Sequence, residues 1–323
     1  MRIATINAPS GALAFGFSTM GGGDFNQDGY DDVVISAPGS GLAQGRAYIF
    51  PGSSSGLAST PAVTLYGSGE TSSNFGHSLA VGHINNDGYV DLVISENQNE
   101  FSMPQTGRVY VFLGRAGGVS EPAARVLTCP DGNKKNFGVS VAIVNDFDGD
   151  NLRDLVVGAY GVNSNDGRAY LYRGTATGVE AIPAATFFPT AKTQGYFGWR
   201  VIGGDFNEDL YGDILVGETD ANGLAGQVHV YYGGPLPFTA DSSNHKILVG
   251  THTGAGFFGN ALSTTQRADV AFDSAVIGAP SVSNNTGRVY VFEGSKTGLA
   301  GAPSTTINGP NGSGKDFGLF LAY

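Results

Sequence analysis

The dipeptide Phe-Gly recurs at an almost constant interval, and that interval constrains the fold more than any other feature of the chain. It stands at Phe15-Gly16, Phe75-Gly76, Phe137-Gly138, Phe197-Gly198, Phe258-Gly259 and Phe317-Gly318, so successive steps are 60, 62, 60, 61 and 59 residues. Self-similarity at a fixed period marks an array of equal units, each burying its apolar face against the next. The residues between the markers repeat as well. Phe-Gly leads into an alternating stretch, Phe17-Ser18-Thr19-Met20, and then an acidic loop from Asp24 to Asp32. An apolar run follows, Val33-Val34-Ile35, ending in Ser36-Ala37-Pro38. After a variable loop come Gly45-Arg46-Ala47-Tyr48-Ile49-Phe50, a Ser/Gly turn and Ala62-Val63-Thr64-Leu65-Tyr66-Gly67.

Each unit therefore reads as four short strands bounded by turn residues. No stretch sustains a 3.6-residue apolar period, so helix is negligible. The 51 glycines supply turns, and 41% hydrophobic residues suffice for a packed core. Four strands per repeat is the size of a propeller blade. The expected fold is all-β, a β-propeller of four-stranded blades forming a single domain over residues 1–323. Five full repeats span about 13–72, 73–134, 135–194, 195–255 and 256–314. Residues 1–12 align with a fourth strand and are expected as a lone outer strand. Residues 315–323 align with a first strand and are expected as a lone inner strand. Together they make a split, partial sixth blade, and the chain is read as either a fragment of a larger ring or a ring with a minimal last blade.

The acidic loops carry the chemistry. A loop of the pattern D-x-[DN]-x-D-G-x-x-D offers side-chain oxygens at positions one, three, five and nine and a backbone carbonyl at position seven. A hard cation such as Ca²⁺ takes about six to eight oxygens. Loop one supplies Asp24, Asn26, Asp28, the Tyr30 carbonyl and Asp32. Loop three supplies Asp146, Asp148, Asp150, the Leu152 carbonyl and Asp154, and loop four supplies Asp205, Asn207, Asp209, the Tyr211 carbonyl and Asp213. In loop two Asn85, Asp87, the Tyr89 carbonyl and Asp91 remain, but His83 replaces the first aspartate. Imidazole is a poor Ca²⁺ ligand, so that site is expected to be weak. Loop five, Gln266 to Ser274, has lost the pattern. About three structural Ca²⁺ sites follow, each ion pinning the hairpin between strands one and two. Asp, Asn and Gly also favour turns by themselves, but three near-complete copies at one repeat position argue for more than turn chemistry.

These units resemble FG-GAP repeats, the repeats of the integrin α-subunit propeller. Phe-Gly is the first half of that signature. The second half stands as Gly278-Ala279-Pro280 and Ser36-Ala37-Pro38, loosely as Gly158-Ala159-Tyr160, and is lost at Ser95-Glu96-Asn97 and Gly217-Glu218-Thr219. The resemblance implies an extracellular adhesion or recognition module, with a protein or carbohydrate ligand bound on the loop face opposite the metal loops. Ca²⁺ sites of modest affinity also suit the outside of the cell. The alternative is an accessory propeller of a secreted enzyme such as a phospholipase or another hydrolase. Ligand-contact candidates are Phe101 and Met103 in the longest variable loop, and Tyr196 and Trp199 flanking the fourth Phe-Gly. Phe101 and Met103 read equally well as packing under their own loop.

No catalytic residue is assigned, and the chain is read as a non-enzyme. The five histidines show no zinc spacing, with His77 and His229 read as scaffold, and no nucleophile elbow or phosphate loop is visible. A net charge of 17 − 28 = −11 argues against a nucleic-acid partner. Cys129 is the single cysteine, which excludes an intrachain disulfide. No apolar run approaches the roughly 18 residues of a membrane span. Met1-Arg2-Ile3-Ala4-Thr5 is no signal peptide, and its removal before this start is the expectation.

Overall fold

Strands form where the repeat pattern places them. The computed structural model describes residues 5–39, 44–69, 73–97, 107–132, 136–191, 194–266, 271–282, 286–310 and 316–321. In the first repeat β1 (Thr19–Gly23), β2 (Asp32–Ala37), β3 (Arg46–Phe50) and β4 (Val63–Tyr66) form one antiparallel sheet in that order. The second repeat does the same with β5 (Phe75–Gly82), β6 (Asp91–Glu96), β7 (Arg108–Phe112) and, beyond a short ribbon of β8 (Gly114–Arg115) and β9 (Gly118–Val119), β10 (Arg125–Thr128). The third contains β11 (Phe137–Val144), β12 (Asp154–Ala159), β13 (Arg168–Tyr172), the ribbon β14 (Gly174–Thr175) and β15 (Gly178–Val179), and β16 (Ala185–Phe187). The fourth is β17 (Phe197–Gly204), β18 (Asp213–Glu218), β19 (Gln227–Tyr231) and β20 (His245–Leu248), and the fifth is β21 (Ala261–Gln266), β22 (Asp273–Ala279), β23 (Arg288–Phe292) and β24 (Thr305–Asn308). These sheets are the blades of a β-propeller. A four-residue turn, α1 (Ala221–Leu224), has Asn222 and Gly223 in the left-handed region and is no true helix.

The chain divides into two compact units where the repeat pattern predicts one domain over 1–323. One comprises residues 1–143 and 173–182, the other 144–172 and 183–323. Within each unit neighbouring sheets stack face to face. All six residues of β6, and likewise of β12 and β18, are buried, because a middle strand is covered on both faces. The outer strand β24 is exposed throughout. In the first unit Phe25, Val34, Ile49, Phe75, Leu92 and Phe112 share one core across two repeats, and in the second Phe206, Leu215, Phe258, Ile277 and Phe292 do so.

Phe-Gly lies at the seam of this stacking. Phe75 is fully buried, with its ring edge-on to Tyr110 of its own sheet at 5.3 Å. Phe258 meets Tyr290 the same way at 5.5 Å. The backbone of each such Phe abuts the glycine that opens strand three of the preceding repeat. A Cβ at Gly107 would stand 1.9 Å from the Phe137 carbonyl oxygen, and one at Gly167 1.9 Å from that of Phe197. The glycine that opens strand three is thus demanded by the next repeat, and at Gly167, Gly226 and Gly287 by its own left-handed φ as well.

Two end segments differ from expectation. Residues 5–12, read as a lone outer strand, form no ladder. Ile6 and Ala12 pack instead beside Phe15 against Ile35, Tyr48 and Phe50 of the first sheet. Of the expected lone inner strand at 315–323, the described part makes a single parallel bridge, Phe317 to Gly287.

Candidate metal centre

Every acidic loop joins strand one to strand two, and loops one to four share one backbone. Positions four and six both take positive φ: Gln27 (59°) and Gly29 (88°), Asn86 (53°) and Gly88 (86°), Gly149 (85°) and Asn151 (69°), Glu208 (55°) and Leu210 (77°). The sequence pattern foretold position six alone. Leu210 stands where the pattern has glycine and adopts the required conformation despite its side chain, so loop four has the same backbone as the others.

Position nine is the anchor. Asp32, Asp91, Asp154 and Asp213 are all buried. One oxygen accepts the N–H of position two: Phe25 at 3.0 Å, Ile84 at 2.6 Å, Phe147 at 2.9 Å and Phe206 at 2.8 Å. The other accepts the N–H of the glycine that follows strand three, from Gly52 and Gly114 at 2.8 Å and from Gly233 at 3.0 Å. These glycines were not foreseen as part of the site. Their signal is the glycine recurring just past strand three, at Gly52, Gly114, Gly174, Gly233 and Gly294. Burial pushes the Asp213 carboxyl up to about 8, against those two hydrogen bonds, with Asp209 and Asp205 raising it further. Burial raises Asp32 and Asp91 as well.

Positions one and five fold the loop inward. Asp24 accepts the N–H groups of Asp28 and Gly29 at 3.0 and 2.7 Å, and Asp146 those of Asp150 and Asn151 at 2.9 and 2.6 Å. Asp205 accepts from Glu208 at 2.6 Å. At position five Asp28, Asp87, Asp150 and Asp209 accept the N–H of Tyr30, Tyr89, Leu152 and Tyr211 at 2.9–3.0 Å.

Position three separates the loops. Asn26, Asn85 and Asn207 each donate an amide N–H to the position-five aspartate, at 3.0, 2.9 and 2.7 Å. Loop three has Asp148 there, which as a carboxylate has no N–H to give. In that loop one oxygen each of Asp146, Asp148 and Asp154 lies within 4.8 Å of the others. Three converging carboxylates with oxygen-only chemistry fit a hard divalent cation, whose charge offsets their mutual repulsion.

In loop two His83 Nδ1 lies 2.8 Å from the Tyr89 carbonyl oxygen. The imidazole N–H occupies the carbonyl that position seven would offer an ion, so the loop closes on itself. In loop five, the Asp273 carboxylate accepts the Asp205 N–H at 2.8 Å, and position nine is the buried Ser274.

Of the ligand-contact candidates, Phe101 and Met103 lie outside the described residues. Tyr196 and Trp199 are half-buried with Tyr160 between them. Tyr160 is edge-on to Tyr196 at 5.2 Å and tilted against Trp199 at 5.0 Å. The Trp199 indole N–H is buried with no hydrogen-bond partner among the described residues.

Sequence comparison bears on the same segments. The FG-GAP repeat profile matches residues 15–50, covering loop one, and an FG-GAP-like repeat profile matches 146–216, covering loops three and four. Residues 15–50 and 146–216 of the chain are FG-GAP repeat segments. Among curated relatives, mouse integrin alpha-7 is 35% identical over 164 residues, 49% of this chain and 13% of that protein. Integrin alpha-5 of Xenopus laevis is 28% identical over 215 residues, 63% of this chain and 20% of that protein. Integrin alpha-PS2 of Drosophila melanogaster is 29% identical over 244 residues, 70% and 17% respectively. The FG-GAP chain thus matches a fifth or less of the length of these relatives. No helix among the described residues is long and apolar enough to cross a membrane.

Proposed function

We propose that this FG-GAP chain is a Ca²⁺-stabilised extracellular recognition module of the adhesion type, without enzymatic activity. It binds a protein ligand through the loops between strands two and three and between successive repeats, at the strand ends opposite the metal loops. The observation that supports the reading most is the shared metal-loop backbone, with three carboxylates converging in loop three. Similarity to integrin alpha subunits favours a protein ligand over a carbohydrate, and no feature of the chain favours the accessory-propeller alternative. The ions sit in loops one, three and four, where they fix hairpins rather than take part in chemistry. Tyr196, just before β17, and Trp199, within it, contribute to that ligand contact, as do Phe101 and Met103.

Calorimetric titration of chelator-treated protein with Ca²⁺ tests the metal reading, and about three equivalents are expected. A ligand that binds only the folded state stabilises it, so EDTA is expected to lower the melting temperature. An unchanged melting temperature sinks the structural role. Attachment of cells to surfaces coated with the chain, in Ca²⁺ and in EDTA, tests adhesion, and equal attachment to coated and blank surfaces argues against it.

A further inference from the structure

At the end of strand two, Glu96 and Glu218 stand where Ala37, Ala159 and Ala279 stand in the other repeats. Both glutamates are fully buried. In the second repeat the carboxylate is answered on the spot: the Tyr110 hydroxyl donates to it, the Ser68 hydroxyl donates at 2.6 Å, and Arg108 lies 3.5 Å away. In the fourth repeat the tyrosine of strand three, seen at Tyr48, Tyr110, Tyr170 and Tyr290, is replaced by His229, also fully buried.

His229 extends the network outward. Its Nε2 lies 2.8 Å from Glu218 Oε2, and its Nδ1 lies 3.0 Å from His245 Nε2 on the outer strand. With His229 as a neutral imidazole, the carboxylate takes its Nε2–H, which leaves Nδ1 to accept the Nε2–H of His245. His245 Nδ1 is then left with a lone pair, to which no protein group donates among the described residues. The His245 ring lies flat on Tyr231 at 4.6 Å. Burial holds His245 down at about 4, so it is a neutral acceptor at physiological pH.

His245 lines a cavity of about 410 Å³, within the size range of small-molecule sites. Its walls include Phe187, Phe188, Tyr231 and Phe238, with threonine hydroxyls and, among the described residues, no charged side chain. Phe187 and Phe238 meet at 5.6 Å and 66°, an edge-and-face wall of the kind that receives a further ring. An uncharged described lining favours a neutral ligand, and a lone acceptor asks for one donor.

We propose that this cavity binds a small neutral phenol, its ring packed among Phe187, Phe188 and Phe238 and its hydroxyl donating to His245 Nδ1. Glu218 and His229 are positioning residues that hold His245 in the accepting tautomer.

Phenol and anisole, which shares the ring but has no donor, are titrated against the whole chain by NMR. Phenol is expected to bind about fivefold tighter, the worth of one neutral hydrogen bond, with shifts confined to the rings of His245 and Phe187, Phe188 and Phe238. His245→Phe keeps a ring on Tyr231 and is expected to weaken phenol about fivefold while leaving anisole unchanged. Equal binding of the two probes by the wild type overturns the proposal without recourse to any variant. So does binding of neither at tens of millimolar, or shifts elsewhere in the chain.

Discussion

Leu210 is held at φ 77° with its side chain 89% exposed, so it has no packing to offset a conformation that a side chain resists. The left-handed region costs an L-residue roughly 1–2 kcal/mol, of which glycine's greater chain entropy returns part. Leu210→Gly is therefore expected to stabilise the protein by about 0.5–1 kcal/mol, read as a rise in melting temperature with Ca²⁺ stoichiometry unchanged. His83 poses the converse case, a loop with the right backbone and the wrong first ligand. His83→Asp frees the Tyr89 carbonyl and restores a carboxylate at position one, so calorimetric titration should gain one Ca²⁺ equivalent. Asp213 gives the pH dependence. Its folded-state value is raised to about 8 from an ordinary 3.8, so without metal the folded state holds a proton that the unfolded chain releases. That contribution is fully present below pH 4 and is lost as pH rises through 8. A cation at loop four replaces the proton. The stabilisation by Ca²⁺, measured as the melting-temperature difference from EDTA-treated protein, should therefore grow between pH 5 and 8. Calorimetry in buffers of different ionisation heat should show proton release on binding near pH 6–7.

The elements were legible in the sequence because two independent periods agree. The 60-residue Phe-Gly spacing marked the sheets, and turn residues marked the strands inside them. What the sequence could not display was the partner of each marker. Gly107 reads as an ordinary turn glycine until Phe137 is seen against it, one repeat further along the chain. Backbone cannot give way as a flexible side chain does. Gly107→Ala is accordingly expected to cost roughly 3 kcal/mol or prevent folding, whereas Gly301→Ala, with open space around its Cβ and no left-handed φ, should cost far less. Thermal unfolding of the two variants side by side checks this, and equal losses would mean the seam is not tight. The metal loops were legible through acids at fixed offsets. The left-handed residue at position four escaped notice because Gln27 and Glu208 carry no conformational signal, whereas Gly29 does. Likewise His229 read as scaffold because a lone histidine on a strand carries no sign of a buried glutamate on the next one. The clue lay in comparing repeats, where glutamate for alanine and histidine for tyrosine occur together.

For the molecule, the two compact units divide the proposed ions unequally. Loop one belongs to the first unit, and loops three and four belong to the second. In loops one and four the position-nine aspartate also ties the loop to the glycine after strand three, through Asp32 and Gly52 and through Asp213 and Gly233. Losing an ion should therefore loosen its own repeat first. Asp28→Ala removes one side-chain ligand from loop one and Asp150→Ala one from loop three, and both are half-exposed or exposed positions where truncation leaves no cavity. Each variant is expected to bind about one Ca²⁺ fewer than the wild type. Amide hydrogen exchange in saturating Ca²⁺ should show where the loss is felt. Faster exchange is expected around β1, β2 and Gly52 for Asp28→Ala, and around β12 and β13 for Asp150→Ala, with the fourth and fifth repeats keeping their wild-type protection in the former. A wild-type count of ions in either variant would show that the loop does not hold one. Uniform acceleration across both units would instead mean that the ions act on the stability of the whole chain rather than on single hairpins.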